Sequence, residues 1–275
     1  MTRCELCFHR CLLSEGQRGF CRARVCRGGK IIDENYGMIT SLALDPVEKK
    51  PLRRFHPGAP VLSVGSYGCN LRCPFCQNSE ISMSDGSGTP VRRLLPEQLA
   101  ALARELKPRG NLGVAYTYNE PTIAFEYLMD CAPLIHHSGL YNLLVTNGSL
   151  LPSPLRRLLP FIDAMNVDLK GFTEEGYRRL SGDLETVKNF IRISAEAGCH
   201  VEVTTLIVPG ENDFPEEMRA LSAWLASIDR RIPLHVTRFF PQYKMSQAVP
   251  TPLTVLRRMA DIASEFLEYV YLGNC

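Results

Sequence analysis

The sequence has no apolar run of transmembrane length, no large excess of either charge and no low-complexity tract. A spanning helix needs about 20 predominantly apolar residues, so a membrane protein is not expected. The opening residues carry no apolar signal-peptide core, and the chain reads as cytoplasmic. The formal net charge over 275 residues is only +2. The basic pairs Arg53-Arg54, Arg156-Arg157, Arg178-Arg179 and Arg257-Arg258 are scattered along it. Nucleic-acid binders cluster their Lys and Arg in a patch or stripe, so neither nucleic acid nor membrane is expected as a partner. Internal repeats are absent too, which excludes a solenoid. With 45% hydrophobic and 22% charged residues, the chain has the composition of a globular protein with a sizeable core.

What the chain has in quantity is cysteine: eleven residues, eight of them among the first 76. A reducing cytosol disfavours disulfides, which leaves metal or cluster ligation as the reading. The cysteines form two groups. Cys4-x2-Cys7-x3-Cys11-x9-Cys21 supplies four thiolates, a full set for structural zinc or a second iron–sulfur cluster. A short appendage with little core gains folding energy from a closed metal site, which tilts the choice toward zinc. Cys26 is a fifth thiol nearby. The second group is Cys69-x3-Cys73-x2-Cys76. Three thiolates this close hold three corners of a cubane cluster and leave one iron without a protein ligand. Clusters that only carry electrons normally have four protein ligands. An open metal position is where something binds and reacts. Cys131 and Cys199 read as small buried hydrophobes.

Apolar patterning predicts strands at Lys30–Asp33 and Met38–Leu44. From residue 61 on, it predicts six more: Val61–Ser66, Leu112–Tyr116, Tyr141–Thr146, Ala164–Asp168, His200–Ile207 and Leu234–Phe239. Helices are predicted between and after them, at Pro96–Lys107, Thr122–His137, Leu184–Ala197, Pro215–Ser227 and Thr251–Phe266. This alternation indicates an α/β fold with a parallel sheet. The boundary is expected near residue 57, with residues 1–57 a cysteine-rich, metal-binding extension and 58–275 the core domain. Each strand from residue 61 on is followed by a polar or cysteine-bearing segment: Cys69–Cys76, Asn119-Glu120-Pro121, Thr146-Asn147-Gly148, Asp168-Leu169-Lys170, Val208–Asp213 and Phe239-Phe240-Pro241. Active sites of barrels and open α/β sheets lie at the C-terminal ends of strands, so these segments are expected to meet at one mouth. Taken alone, Glu120 is also a good helix N-terminal carboxylate, Asp168 and Lys170 an ordinary pair, and Asn147-Gly148 ordinary turn chemistry.

Several segments together carry a family resemblance. They are Asp45–Leu52, Gly68–Asn78, Tyr116–Thr122, Val145–Gly148, Val167–Gly171, Thr204–Asp213, His235–Phe240 and Tyr269–Asn274. The chain resembles the radical S-adenosylmethionine (radical SAM) superfamily, in its pyruvate formate-lyase activating-enzyme-like branch, and most of all the radical enzyme of the AmmeMemoRadiSam system. The resemblance implies a partial (β/α)6 TIM-like barrel of the radical SAM type with a small N-terminal cysteine-rich extension. It implies a 4Fe-4S cluster on Cys69, Cys73 and Cys76, with S-adenosylmethionine chelating the free iron. Glu120 would accept a hydrogen bond from the methionine amino group, and Lys170, beside Asp168, would pair with the cofactor carboxylate. Thr146, Asn147 and Asn212 would contact that carboxylate or the ribose, and Phe75 would lie near the adenine. Asn78 and Asn119 complete the cofactor-binding set. The knuckle Cys4, Cys7, Cys11 and Cys21 resembles the family's N-terminal cysteine pattern. The implied reaction is reductive cleavage of S-adenosylmethionine to a 5′-deoxyadenosyl radical, which abstracts hydrogen from a substrate. A reductant such as flavodoxin or ferredoxin would supply the electron. The substrate stays open between a protein, as for glycyl-radical activating enzymes, and a small molecule. A non-catalytic iron–sulfur or zinc module would bind metal without cleaving the cofactor.

Overall fold

Short apolar strands, most of them followed by a helix, fold into one sheet in the computed structural model, which describes residues 1–275. Its eight strands are β1 (Ser41–Pro46), β2 (Pro60–Gly65), β3 (Gly113–Tyr116), β4 (Tyr141–Thr146), β5 (Ala164–Asp168), β6 (His200–Ile207), β7 (Leu234–Arg238) and β8 (Val270–Gly273). They lie side by side in chain order. β1 runs antiparallel to β2, and every other pairing is parallel. β1 and β8 do not pair, so the sheet is an open, partial barrel. Runs such as Val114–Tyr116 are buried throughout, as strands covered on both faces must be.

The longer helices are α1 (Pro96–Glu105), α2 (Phe125–His137), α3 (Pro152–Leu158), α4 (Leu184–Glu196), α5 (Pro215–Ile228) and α6 (Leu253–Ser264). Pro96, Pro152 and Pro215 each open a helix, where the missing N–H is harmless. Asp183 caps α4 by accepting from the Thr186 amide at 2.8 Å. None of the helices is long and apolar enough to cross a membrane.

The structure departs from the sequence reading in several places. Met38–Leu44 is not one strand: Met38–Ile39 pairs with Arg92–Arg93, and after Thr40 the chain enters the main sheet as β1. β1 falls within residues 1–57, so this part of the extension is hydrogen-bonded into the sheet. The helix expected from Thr122 starts at Phe125, because Glu120 caps a separate 3-10 turn at Pro121–Ile123. β8 and α3 were not expected.

The stretch between β1 and β2 plugs one end of the barrel. Val47 and Leu52 pack against Val61, Ala115, Leu143 and Ala164. Just beyond, the amides of Arg53 and Arg54 donate to Glu202 at 3.0 and 2.8 Å. The N-terminal segment is clamped from outside. A hairpin of Arg24–Arg27 and Lys30–Asp33 presents the buried Arg24, whose guanidinium grips Glu126 of α2 through two bonds of 2.6 and 2.7 Å. A bidentate pair of this kind fixes orientation as well as adding energy.

Candidate cluster and cofactor site

The Cys69–Cys76 loop leaves β2 at the C-terminal end of the sheet. Gly68 makes the turn possible. Its φ is +86°, and a Cβ there would stand 2.7 Å from the carbonyl oxygen of Cys21, so only glycine fits. The entering backbone is held by Asn119, whose Nδ2 donates to the carbonyls of Tyr67 (3.1 Å) and Gly68 (3.0 Å) while its Oδ1 accepts from the Ser66 amide (3.0 Å). Arg72 donates back to the carbonyls of Cys69 (2.9 Å) and Leu71 (2.7 Å) and lies over the Phe20 ring. Beneath the loop, Leu71, Cys73, Phe75, Leu180, Val208 and Phe239 form an apolar floor.

Burial raises the thiols of this loop. Cys69 is pushed well above the usual range by desolvation, with Glu120 and Cys73 adding to it. Cys73 is pushed up to about 11 by burial, although the nearby Lys170 works in the opposite direction. Such thiols are poor anions by themselves, and a bound cation would supply the charge that makes them thiolates. No three His, Cys, Asp or Glu side chains close on a single metal ion. Three cysteines of one short loop are one ligand short of a closed zinc site, which takes four, and they match three irons of a cluster.

Glu120 is the electrostatic centre of the mouth. It is 2% exposed. Its Oε1 accepts from the Thr122 amide (3.0 Å), the Thr122 hydroxyl (2.6 Å) and the Thr146 hydroxyl (2.8 Å), and its Oε2 from the Asn147 amide (2.7 Å). No cation pairs with it, and burial raises its pKa in spite of these four donors. A buried carboxylate without a counter-ion, with one oxygen taking a single donor, suits a cationic ligand. Lys170 stands on the other side of Cys73, its Nζ 2.9 Å from Asp168 Oδ2. Burial lowers the lysine, but the charge of Asp168 outweighs it and keeps the ammonium protonated.

The structure therefore brings Cys69, Cys73, Glu120, Thr146, Asn147, Asp168 and Lys170 together at one mouth. Four residues expected at the cofactor are engaged with the protein itself. The Asn119 amide is spent on the backbone of residues 66–68, as described. Asn212 accepts from the Val208 amide (2.7 Å) and donates to the carbonyls of Leu206 (2.8 Å) and Lys170 (3.1 Å), tying two loops together. Phe75 is packed into the apolar floor, 7% exposed. Asn78 donates to the carbonyl of Tyr118 at 2.7 Å, a residue held at φ +72°. Sequence reasoning missed Thr122, Arg72 and Asn70. Thr122 had a signal in its place two residues after Glu120; the other two read only as spacers between cysteines.

Cys4, Cys7, Cys11 and Cys21 line one small enclosed cavity with His9, Phe20 and Arg24. The hairpin of Thr2–Arg3 and Leu12–Leu13 brings Cys4 to Cys11, with the Cys4 amide donating to the Cys11 carbonyl at 2.9 Å. Cys26 faces elsewhere, within the neighbouring hairpin, and does not line the cavity. Four thiols around one cavity are a full ligand set for either a zinc ion or a second iron–sulfur cluster.

Residues 63–223 match the family model of the Radical SAM superfamily. The chain belongs to that superfamily. An uncharacterized protein of Methanocaldococcus jannaschii is 38% identical over 99% of this chain and 81% of its own length. The pyruvate formate-lyase-activating enzyme of Clostridium pasteurianum is 26% identical over 58% of this chain and 67% of its own. Streptococcus suis SuiB bound to S-adenosylmethionine has the same fold, with a TM-score of 0.58 at 15% identity, over 78% of this chain and 52% of that one. The protein is thus a radical SAM enzyme, and its family implies a 4Fe-4S cluster and S-adenosylmethionine.

Proposed function

We propose that this radical SAM enzyme abstracts hydrogen from a protein substrate. Cys69, Cys73 and Cys76 would hold three irons of the cluster, and Glu120 would accept from the ammonium of the cofactor. With S-adenosylmethionine bound, the cluster would supply one-electron cleavage of the sulfonium to a 5′-deoxyadenosyl radical. Asp168 fixes Lys170 as a cation for the cofactor carboxylate, while Thr122, Thr146 and the Asn147 amide lock the Glu120 rotamer. The apolar floor of Leu71, Phe75, Leu180, Val208 and Phe239 keeps water from beneath the loop. The observation that carries this reading is Glu120, a buried carboxylate without a counter-ion whose partner Asn147 also reaches Cys69 Sγ at 3.8 Å. A low-potential flavodoxin or ferredoxin would donate the electron, and the similarity to activating enzymes supports a protein target.

The test uses reconstituted enzyme, dithionite and S-adenosylmethionine, with deuterium-labelled cell extract split into protein and small-molecule fractions. Deuterium in 5′-deoxyadenosine with the protein fraction alone supports the proposal. Deuterium only with the small-molecule fraction assigns a small substrate instead. Cys69→Ala, Cys73→Ala and Cys76→Ala should each abolish 5′-deoxyadenosine formation.

A further inference from the structure

The two cysteine groups meet across one pair of asparagines. Asn147 Nδ2 donates to Asn70 Oδ1 at 2.8 Å and also faces Cys69 Sγ at 3.8 Å. Asn70 is 1% exposed. Its Nδ2 is buried without a hydrogen-bond acceptor, and the group its amide faces is the sulfur of Cys7. The Asn70 carbonyl accepts from His9 Nε2 at 2.8 Å, and Gly68 rests on the Cys21 carbonyl. The N-terminal cavity and the triad loop are thus in backbone contact, and each presents a thiol to one end of the same hydrogen-bonded pair.

A buried amide donor without an acceptor is costly. A neutral thiol is a weak acceptor and a thiolate a strong one, so the unpartnered Asn70 Nδ2 is matched by a metal-bound Cys7. Once satisfied there, Asn70 is pinned and holds Asn147 toward Cys69. Hydrogen bonds to cluster sulfurs stabilise the reduced, more negative cluster and raise its potential. We propose that Cys4, Cys7, Cys11 and Cys21 hold a metal centre as thiolates, and that Asn70 and Asn147 couple this centre to the triad cluster, so that filling it raises the cluster's reduction potential. The coupling rests on the cluster reading of Cys69, Cys73 and Cys76; the N-terminal centre does not. Asn70 and Asn147 act here as positioning residues.

The experiment counts iron, sulfide and zinc per chain after anaerobic reconstitution. It then follows the triad cluster by EPR through a redox titration, without S-adenosylmethionine. The wild-type chain should hold metal beyond the triad's about four irons, either as further iron and sulfide or as one zinc, and Cys73→Ala should keep it. Asn147→Ala should lower the midpoint potential at unchanged iron content, with Asn147→Gln nearer the wild type. Asn70→Ala should lower both the potential and the occupancy of the N-terminal centre. Wild-type protein with no metal beyond the triad would overturn the proposal, and so would asparagine variants that titrate at the wild-type potential. Absence of any triad signal with N-terminal metal present would instead refute the cluster reading, and the coupling with it.

Discussion

Replacing Glu202 with Gln should destabilise the barrel from its closed end without touching the mouth. Glu202 sits on β6, fully buried. It accepts from His200 Nε2 (2.9 Å), His235 Nε2 (2.6 Å) and the amides of Arg53 (3.0 Å) and Arg54 (2.8 Å). Burial alone would raise this carboxyl, but the two imidazoles and the two amides hold it down at about 2, against an ordinary value of 4.5. At about 1.4 kcal/mol per pKa unit, the ionised form contributes about 3 kcal/mol near neutrality. Because the folded value is depressed, that contribution is fully present above the unfolded value and is lost as pH falls toward about 2. Gln keeps the shape and one acceptor but loses the charge and turns an N–H toward groups that donate. Urea unfolding at pH 7 should show a loss of about 3 kcal/mol, and the difference from wild type should shrink to roughly half near pH 3.5. Equal stability at pH 7, or a difference independent of pH, would refute the reasoning.

Three further perturbations follow from single contacts. Gly68→Ala combines a positive φ with a Cβ 2.7 Å from the Cys21 carbonyl, whereas Gly58→Ala has a similar φ, +82°, and open space. The first should therefore lower Tm clearly more than the second, whose cost is about 1 kcal/mol; equal shifts in thermal melts would show that the close approach has no weight. Glu120→Gln should weaken S-adenosylmethionine binding by about 2 kcal/mol, roughly 30-fold, read by calorimetry on the reconstituted enzyme. Asp183→Ala removes the cap of α4, including a 2.5 Å bond from the Thr186 hydroxyl, and should cost about 1 kcal/mol in urea melts while leaving cofactor affinity unchanged.

β4, β5 and β6 were legible to the residue. Each is a short apolar run bounded by turn chemistry, so local pattern and tertiary burial agree. β8 was not legible, because Val270–Gly273 is extended only by pairing with Leu234–Thr237 of β7, a contact from a distant part of the chain. The site divides in the same way. Cys69, Cys73 and Cys76 announced themselves by spacing, and Glu120 by its place after a strand. Asn119 and Asn212 have the right residue type at the right mouth, but their amides are consumed by nearby backbone, and only coordinates reveal that. Asn70 is the opposite case. Between two cysteines it reads as a spacer, and its meaning depends on Cys7 and Asn147, which are remote in sequence. Glu202 likewise reads as the polar member of a Val-Glu-Val alternation, yet three of its four partners come from β7 and from the plug.

The most direct test is to reconstitute the protein anaerobically with iron and sulfide, add dithionite and S-adenosylmethionine, and measure 5′-deoxyadenosine and methionine. The wild-type protein should form both, and Cys69→Ala, Cys73→Ala and Cys76→Ala should form neither. A wild-type protein that holds iron but leaves S-adenosylmethionine intact, or a triad variant that still cleaves it, would contradict the account.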